Sequence, residues 1–165
     1  MTKFLYLSFF IFSTLCFSQE IKLNKGDFEV NLGSTFSQGE IDVEAGFGAF
    51  LADYSLLRLD LGYSDTQPLD RSSLGVSLVR FFETRTYTIP YVGIGLGYVT
   101  ITDGAEEDLS GAEFSLLLGL RYYLAENVGL NAEFKTAYAT EEAYLDGAEP
   151  VDTDYGFRIG LSYLW

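Results

Sequence analysis

The chain has 165 residues, with ten Lys and Arg against 24 Asp and Glu, a formal charge of −14 and no histidine. That length suits one folded unit, and the acidity excludes nucleic acid as a partner, because no basic stripe is there to neutralise phosphates. The missing histidine removes the commonest general base, the Ser-His arrangement and most transition-metal sites.

The first residues, MTKFLYLSFFIFSTLCFSQE, hold one early cation, Lys3, then an apolar run from Phe4 to Phe12, then small or polar residues suited to cleavage near Ser18 or Gln19. They predict a secretory signal peptide over residues 1–19, which leaves 20–165 as the folded domain. A retained anchor fits less well, since the apolar run falls short of the about 20 residues that span a bilayer as a helix. Cys16, the single cysteine, lies in this leader, and the bulky Leu15 before it argues against lipoprotein modification. Export therefore brings no disulfide framework. Losing Lys3 leaves nine basic residues against 24 acidic, a net −15.

From Gly26 onward the hydrophobic period is two, the signature of strands. The first predicted strand sets Phe28, Val30, Leu32 and Phe36 against Glu29, Asn31, Gly33 and Thr35. After the turn at Ser37, Gln38 and Gly39, the second sets Ile41, Val43, Ala45, Phe47 and Ala49 against Asp42, Glu44, Gly46 and Gly48. The third opposes Leu57, Leu59, Leu61 and Tyr63 to Arg58, Asp60, Gly62 and Ser64. The fourth opposes Leu74, Val76 and Leu78 to Gly75 and Ser77. In the fifth, Val92, Ile94, Leu96 and Tyr98 alternate with Gly93, Gly95 and Gly97. The sixth alternates Phe114, Leu116, Leu118, Leu120 and Tyr122 with Glu113, Ser115, Gly119 and Arg121. The seventh alternates Val128, Leu130, Ala132, Phe134 and Tyr138 with Gly129, Asn131, Glu133 and Lys135. The last alternates Tyr155, Phe157, Ile159, Leu161, Tyr163 and Trp165 with Gly156, Arg158, Gly160 and Ser162.

Eight strands of about 9 to 11 residues match the length a tilted strand needs to cross a bilayer. Residues 52–55, 83–86 and 124–127 read as short connections, and 64–72, 102–110 and 139–153 as long polar ones. Short periplasmic turns and longer extracellular loops characterise outer-membrane barrels. The pattern predicts an all-β fold, an eight-stranded antiparallel up-and-down transmembrane β-barrel.

The alternation leaves open which face is inside, since a soluble ligand-binding barrel alternates too. In that arrangement Phe28, Phe47, Phe114, Phe134, Phe157 and Trp165 would crowd an interior that holds only modest side chains or one small ligand. Reversed, the bulky face meets lipid and the glycines make room in a narrow lumen. Gly93, Gly95 and Gly97 then form an empty strip against which long charged side chains from other strands lie. Tyr63, Tyr98, Tyr122, Tyr138, Tyr163 and Trp165 fall near strand ends, where aromatic girdles meet the interface. Arg80 shares the lipid-facing register of Leu78 and Phe82, so that it either snorkels to headgroups or is turned inward by a bulge.

The leader, the PYVGIGLGY strand (residues 90–98), the EFSLLLGLRYYLAENVGLNAEF hairpin (113–134) and the terminal YGFRIGLSYLW together resemble the family of small eight-stranded outer-membrane β-barrels that includes OmpA-like, OmpX-like and OmpW-like barrels. The resemblance covers the whole mature chain. It implies residence in the outer membrane of a Gram-negative bacterium and contact with its lipid and lipopolysaccharide. It also implies recognition of the last strand by the barrel-assembly machinery, with Tyr163 and Trp165 as the signal. The family's usual final residue is phenylalanine, so Trp165 departs from it. Family members that deacylate or acylate lipid A depend on histidine, which this chain lacks.

Two charge sets remain. Arg58, Arg121, Lys135 and Arg158 face the same side as Glu29, Asp42, Glu44, Asp60, Glu113 and Glu133, and are expected to satisfy one another as a structural network, since an unpaired buried charge is costly. The alternative is a charged gate whose pairs exchange to pass small ions. Asp103, Glu106, Glu107 and Asp108, and Glu141, Glu142, Asp146, Glu149 and Asp152, form acidic loops without calcium-loop spacing, which read as solvated surface or as carboxylates bridged by divalent ions to lipopolysaccharide. The sequence points to no catalytic, cofactor or metal site. The expected role is a non-enzymatic structural or surface-interaction barrel of the envelope, with a small pore or transporter as the main alternative and a lipid-modifying enzyme behind it.

Overall fold

The computed structural model describes residues 21–37, 40–66, 69–103, 109–140, 144–146 and 149–165. The leader with Cys16 and the acidic residues Glu106, Glu107, Asp108, Glu141 and Glu142 lie outside them. The described chain forms β1 (Phe28–Ser37), β2 (Glu40–Ala52), β3 (Ser55–Thr66), β4 (Leu69–Phe81), β5 (Thr88–Asp103), β6 (Leu109–Ala125), β7 (Val128–Ala139), β8 (Tyr144–Asp146), β9 (Glu149–Val151) and β10 (Thr153–Leu164). Eight of these close an antiparallel barrel in the order β1-β10-β7-β6-β5-β4-β3-β2, while β8 and β9 pair as a separate hairpin. The seam between β1 and β10 runs from Glu29 opposite Leu164 to Ser37 opposite Gly156. Closure leaves no strand edge unpaired, the condition for strands to cross lipid.

Each predicted face falls where the alternation puts it. Leu32, Leu96, Leu118 and Leu161 point outward and are exposed, while Glu29, Arg58, Ser115 and Arg158 point inward and are buried. Aromatics mark both ends of the apolar band. Tyr63, Tyr98, Tyr138 and Tyr155 lie towards the loop end. At the other end Phe28, Phe47, Tyr163 and Trp165 stack, with centroids 6.0 to 6.2 Å apart.

The connections differ from expectation. Residues 64–72 do not form a long loop: β3 and β4 stay paired up to Thr66 opposite Leu69. Likewise β5 runs to Asp103 and β6 begins at Leu109, and β8 and β9 fold within 139–153. Polarity signals a loop only while strands are assumed to end with their apolar band. Beyond the band the ladder continues with a polar outward face, Thr100 and Thr102 in β5, while Val99 and Ile101 stay buried inside, so β5 and β6 reach 16 and 17 residues, well past the about 9 to 11 that a bilayer requires. At the opposite end, called here the turn end, the 83–86 connection widens, since β4 stops at Phe81 and β5 starts at Thr88.

Arg80 keeps its outward register, paired with Ser55 and Val92 in an unbroken ladder. Its guanidinium donates to the Asp53 carbonyl at 2.8 Å and to Ser55 Oγ at 2.7 Å, so it snorkels to the turn-end rim and no bulge turns it inward.

The inward glycines are not interchangeable. A Cβ on Gly119 would fall on the Tyr91 ring, whereas one on Gly75 would meet nothing nearer than the Leu96 carbonyl at 3.5 Å. Tyr91 is buried and has nowhere to retreat. Gly119→Ala is therefore expected to destabilise the barrel by about 1 to 3 kcal/mol through overpacking, and Gly75→Ala to leave stability unchanged or raise it by about 0.4 to 1 kcal/mol. Urea titrations of the barrel in detergent micelles, followed by heat-modifiable gel migration, measure both.

Candidate functional site: a filled lumen

At the turn end the lumen is apolar, which the sequence reading did not anticipate. Phe50, Leu56, Val79, Phe81, Ile89, Tyr91, Leu117, Tyr123 and Leu164 point inward and form one buried cluster, completed by Ile21 and Leu23 from the segment before β1. That segment is strapped across the opening by backbone bonds: Tyr54 N–H donates to the Leu23 carbonyl at 3.0 Å and Gly26 N–H to the Phe50 carbonyl at 2.9 Å. Tyr54 takes a left-handed conformation, φ 58°, which costs a non-glycine residue about 1 to 2 kcal/mol. Its hydroxyl bond to the Ile21 carbonyl and the strap contacts offset that cost. Extending each strand's inward parity past its polar residues reveals this stopper: Phe50 follows Gly48, Val79 and Phe81 follow Ser77, and Leu164 follows Ser162.

Above the stopper sits the most deeply buried ion pair. Arg121 donates two hydrogen bonds to Glu29, at 2.6 and 2.9 Å, and its Nε a third to Asn131 at 2.6 Å. The guanidinium lies 4.6 Å from the Phe81 ring centroid, so the apolar plug also serves as a cation–π platform. Gly129 makes the geometry possible, because a Cβ there would lie 2.9 Å from Arg121 Cδ.

The middle of the lumen holds two arginines among three carboxylates. Arg58 binds Asp60 at 2.7 Å and Glu133 at 3.2 and 3.3 Å. Arg158 reaches Glu44 at 3.1 Å, Asp60 at 3.5 Å and Glu133 at 3.8 Å, and also bonds Asn31. Higher still, Lys135 pairs with Glu113 at 2.7 Å. The predicted network residues Arg58, Asp60, Glu113, Glu133, Lys135 and Arg158 thus lie in contiguous layers, with Arg121 one layer below. Sequence reasoning missed Arg71 and Asp154, paired at 3.3 Å, and the bond of Arg71 to Asp42 at 3.6 Å. Arg71 shares the inward parity of Ser77 and Gly75 but was assigned to a loop.

The loop end is covered by β8. Tyr144 is buried against Val99 and Ala137, its hydroxyl donates to Glu113 at 2.7 Å, and Arg71 lies 4.9 Å from its ring centroid. Burial and the facing carboxylate push its hydroxyl far above the ordinary phenol range, so it remains a donor. No sequence signal pointed to Tyr144.

The expected glycine strip faces a different neighbourhood. A Cβ at Gly93 would meet Leu117 and Val79, one at Gly95 the Ser115 hydroxyl, and one at Gly97 the Leu74 carbonyl and Gly75. The nearest atoms belong to the adjoining strands, while the long side chains of Arg58, Lys135 and Arg158 face Gly95 across a small cavity. That cavity measures about 40 Å³ and is bounded by Gly95, Gly75, Arg58, Lys135 and Arg158, room for a few waters.

Buried pairs such as these cost more when halved than when removed whole. Arg121→Met is expected to destabilise the barrel by about 3 to 5 kcal/mol, because Glu29 is left charged and unpaired in a dry site, and Arg121→Met with Glu29→Gln to recover a large part of that loss. Paired denaturant titrations in micelles give the comparison.

The sequence matches no family model and no curated protein. Among solved structures the chain is similar to the N-terminal β-barrel domain of Pseudomonas aeruginosa OprF, with a TM-score of 0.70, 18% identity and coverage of 89% of this chain and 100% of that one. It is also similar to Neisserial surface protein A (TM-score 0.60, 15% identity, 83% and 94% covered). Pseudomonas aeruginosa outer membrane protein OprG gives a TM-score of 0.55 at 16% identity, with 86% and 97% covered. The chain therefore has the fold of the small eight-stranded outer-membrane β-barrels, closed, antiparallel and all-β.

Proposed function

We propose that the protein is a non-enzymatic integral barrel of the Gram-negative outer membrane, exported by the leader at residues 1–19, with a structural or surface-interaction role. The observation that carries this reading is the filled lumen: an apolar stopper at one end, paired charges through the middle and a covered mouth at the other. Among the described residues such an interior is taken up by side chains, which supports a structural role over passage of solutes. The exterior supports the membrane: a belt of exposed Leu, Val, Ile and Phe around the barrel far exceeds the apolar patches of soluble monomers.

Charge supports an orientation. Of the ten Lys and Arg, Lys3 is in the leader, while Arg58, Arg71, Arg121, Lys135 and Arg158 are turned into lumen ion pairs. Lys22, Lys25, Arg80 and Arg85 are exposed near the turn end. The loop end is left with carboxylates such as Asp70 and Asp152 and no exposed cation among the described residues. This fits loops that face outward over lipopolysaccharide, where shared divalent ions join like charges, and turns and termini that face the periplasm. Just past β10, Trp165 stacks on Phe28 and Tyr163 on the outward face, which supports Tyr163 and Trp165 as a signal for the barrel-assembly machinery.

Three measurements test the reading. Leu118→Arg, outward at mid-strand and 61% exposed, is expected to cost about 2 to 4 kcal/mol in lipid vesicles if it faces the bilayer midplane; a neutral result would remove the membrane. In planar bilayers the native barrel is expected to show no steady open state, and a stable, large conductance would overturn the structural role in favour of a pore. Protease added to intact cells is expected to cut within residues 104–108 or 141–148 and to spare 52–55; the reverse pattern inverts the orientation.

A further inference from the structure

Arg80 is the single cation on the outward face of the barrel wall among the described residues. It lies within the apolar belt, since Leu78 on one side and Phe82 on the other both point outward and are exposed. What holds it is neutral. Its Nη1 alone donates to the Asp53 carbonyl and to Ser55 Oγ, at 2.8 and 2.7 Å. The turn that presents this carbonyl is fixed from both sides: Phe81 N–H donates to the Tyr54 carbonyl at 2.9 Å, and Lys25 N–H takes the Asp53 carboxylate at 2.9 Å. The lumen arginines Arg58, Arg71, Arg121 and Arg158 each meet a carboxylate, whereas Arg80 meets none among the described residues. Its Nε–H and Nη2–H, the parallel pair that matches a phosphate bidentately, are left open on the lipid side.

We propose that Arg80 is a phosphate clasp for the headgroup of an anionic phospholipid in the leaflet at the turn end. The turn carbonyl and Ser55 hold the guanidinium by Nη1, and the open edge receives the phosphodiester. An anionic headgroup is favoured over a zwitterionic one because it brings no ammonium of its own to compete with the guanidinium for the phosphate. The clasp presupposes the membrane barrel proposed above and goes beyond it in naming a lipid class and the residue that selects it.

Trp165 is the single tryptophan, so Trp165→Phe with Phe82→Trp places one fluorophore beside Arg80. The barrel is refolded into vesicles that mix phosphatidylglycerol and phosphatidylcholine, one or the other brominated near the top of its acyl chains. Both leaflets have one composition, so the outcome does not depend on which way the barrel inserts. Quenching is expected to show phosphatidylglycerol enriched at the reporter by about fivefold, the fold-change that one cation near an anionic surface gives. Arg80→Gln is expected to remove the enrichment, and Arg80→Lys, which keeps the charge without the fork, to leave an intermediate value. Arg85→Gln, at the same end, is expected to leave it unchanged. Equal enrichment with and without Arg80, an equal loss with Arg85→Gln, or its abolition by free inorganic phosphate overturns the clasp and leaves the membrane barrel standing. Absence of quenching by either lipid overturns both. If the reporter variant does not fold, native mass spectrometry of the unaltered chain and of Arg80→Gln from mixed micelles counts the phosphatidylglycerol retained, expected to be higher for the unaltered chain; equal retention refutes the clasp.

Discussion

Every backbone N–H and C=O that meets hydrocarbon must find its partner within the chain, and the pairing of β1 with β10 meets that demand. Other features follow from closure. Eight strands give an interior only just wide enough for side chains, so bulk goes outward and small residues inward wherever a neighbour is long. Gly119 under Tyr91 and Gly129 under Arg121 show this local bargain between neighbouring strands. Closure also decides what kind of inside the protein has, since a space this narrow excludes bulk water and every inward charge must be answered by another.

That last requirement explains the vertical order of the lumen. Arginine, planar and always charged, suits shared buried sites, and it stands in the deep layers: Arg121 on Glu29, then Arg58 and Arg158 over Asp60, Glu44 and Glu133. Glu133 lies between two guanidiniums, a position that resists the loss of either one. The lysine, Lys135, sits nearer the mouth and is more exposed than the deep arginines. The apolar stopper adds what charges cannot, a dry floor that needs no hydration and on which Arg121 stacks.

The barrel and its faces were legible in the sequence because a period of two, once one face is buried, fixes every side chain along a strand. Parity puts Arg58, Arg121, Lys135 and Arg158 on one face, and the bulk of the opposite aromatic face makes theirs the lumen side. The same parity carried further would have shown the stopper and Arg71; both were hidden by treating the strand as finished where its outward face turned polar or its inward face turned apolar. Tyr144 was not legible by any local rule. It is the single aromatic between Tyr138 and Tyr155, and the surrounding Glu, Ala and Asp residues carry no period that would turn it inward. The acidic loops offered charge without geometry, and charge alone selected no site.

The last rung of the barrel seam joins Phe28 and Trp165, each N–H donating to the other's carbonyl at 3.1 Å. Nearly all of the described chain lies between them, so closing the ring joins points far apart in sequence, the kind of contact that is slow to form. Until they meet, β1 and β10 each keep one unpaired edge. The barrel therefore depends on one long-range pairing that no local hairpin supplies, and losing it would open two strand edges at once.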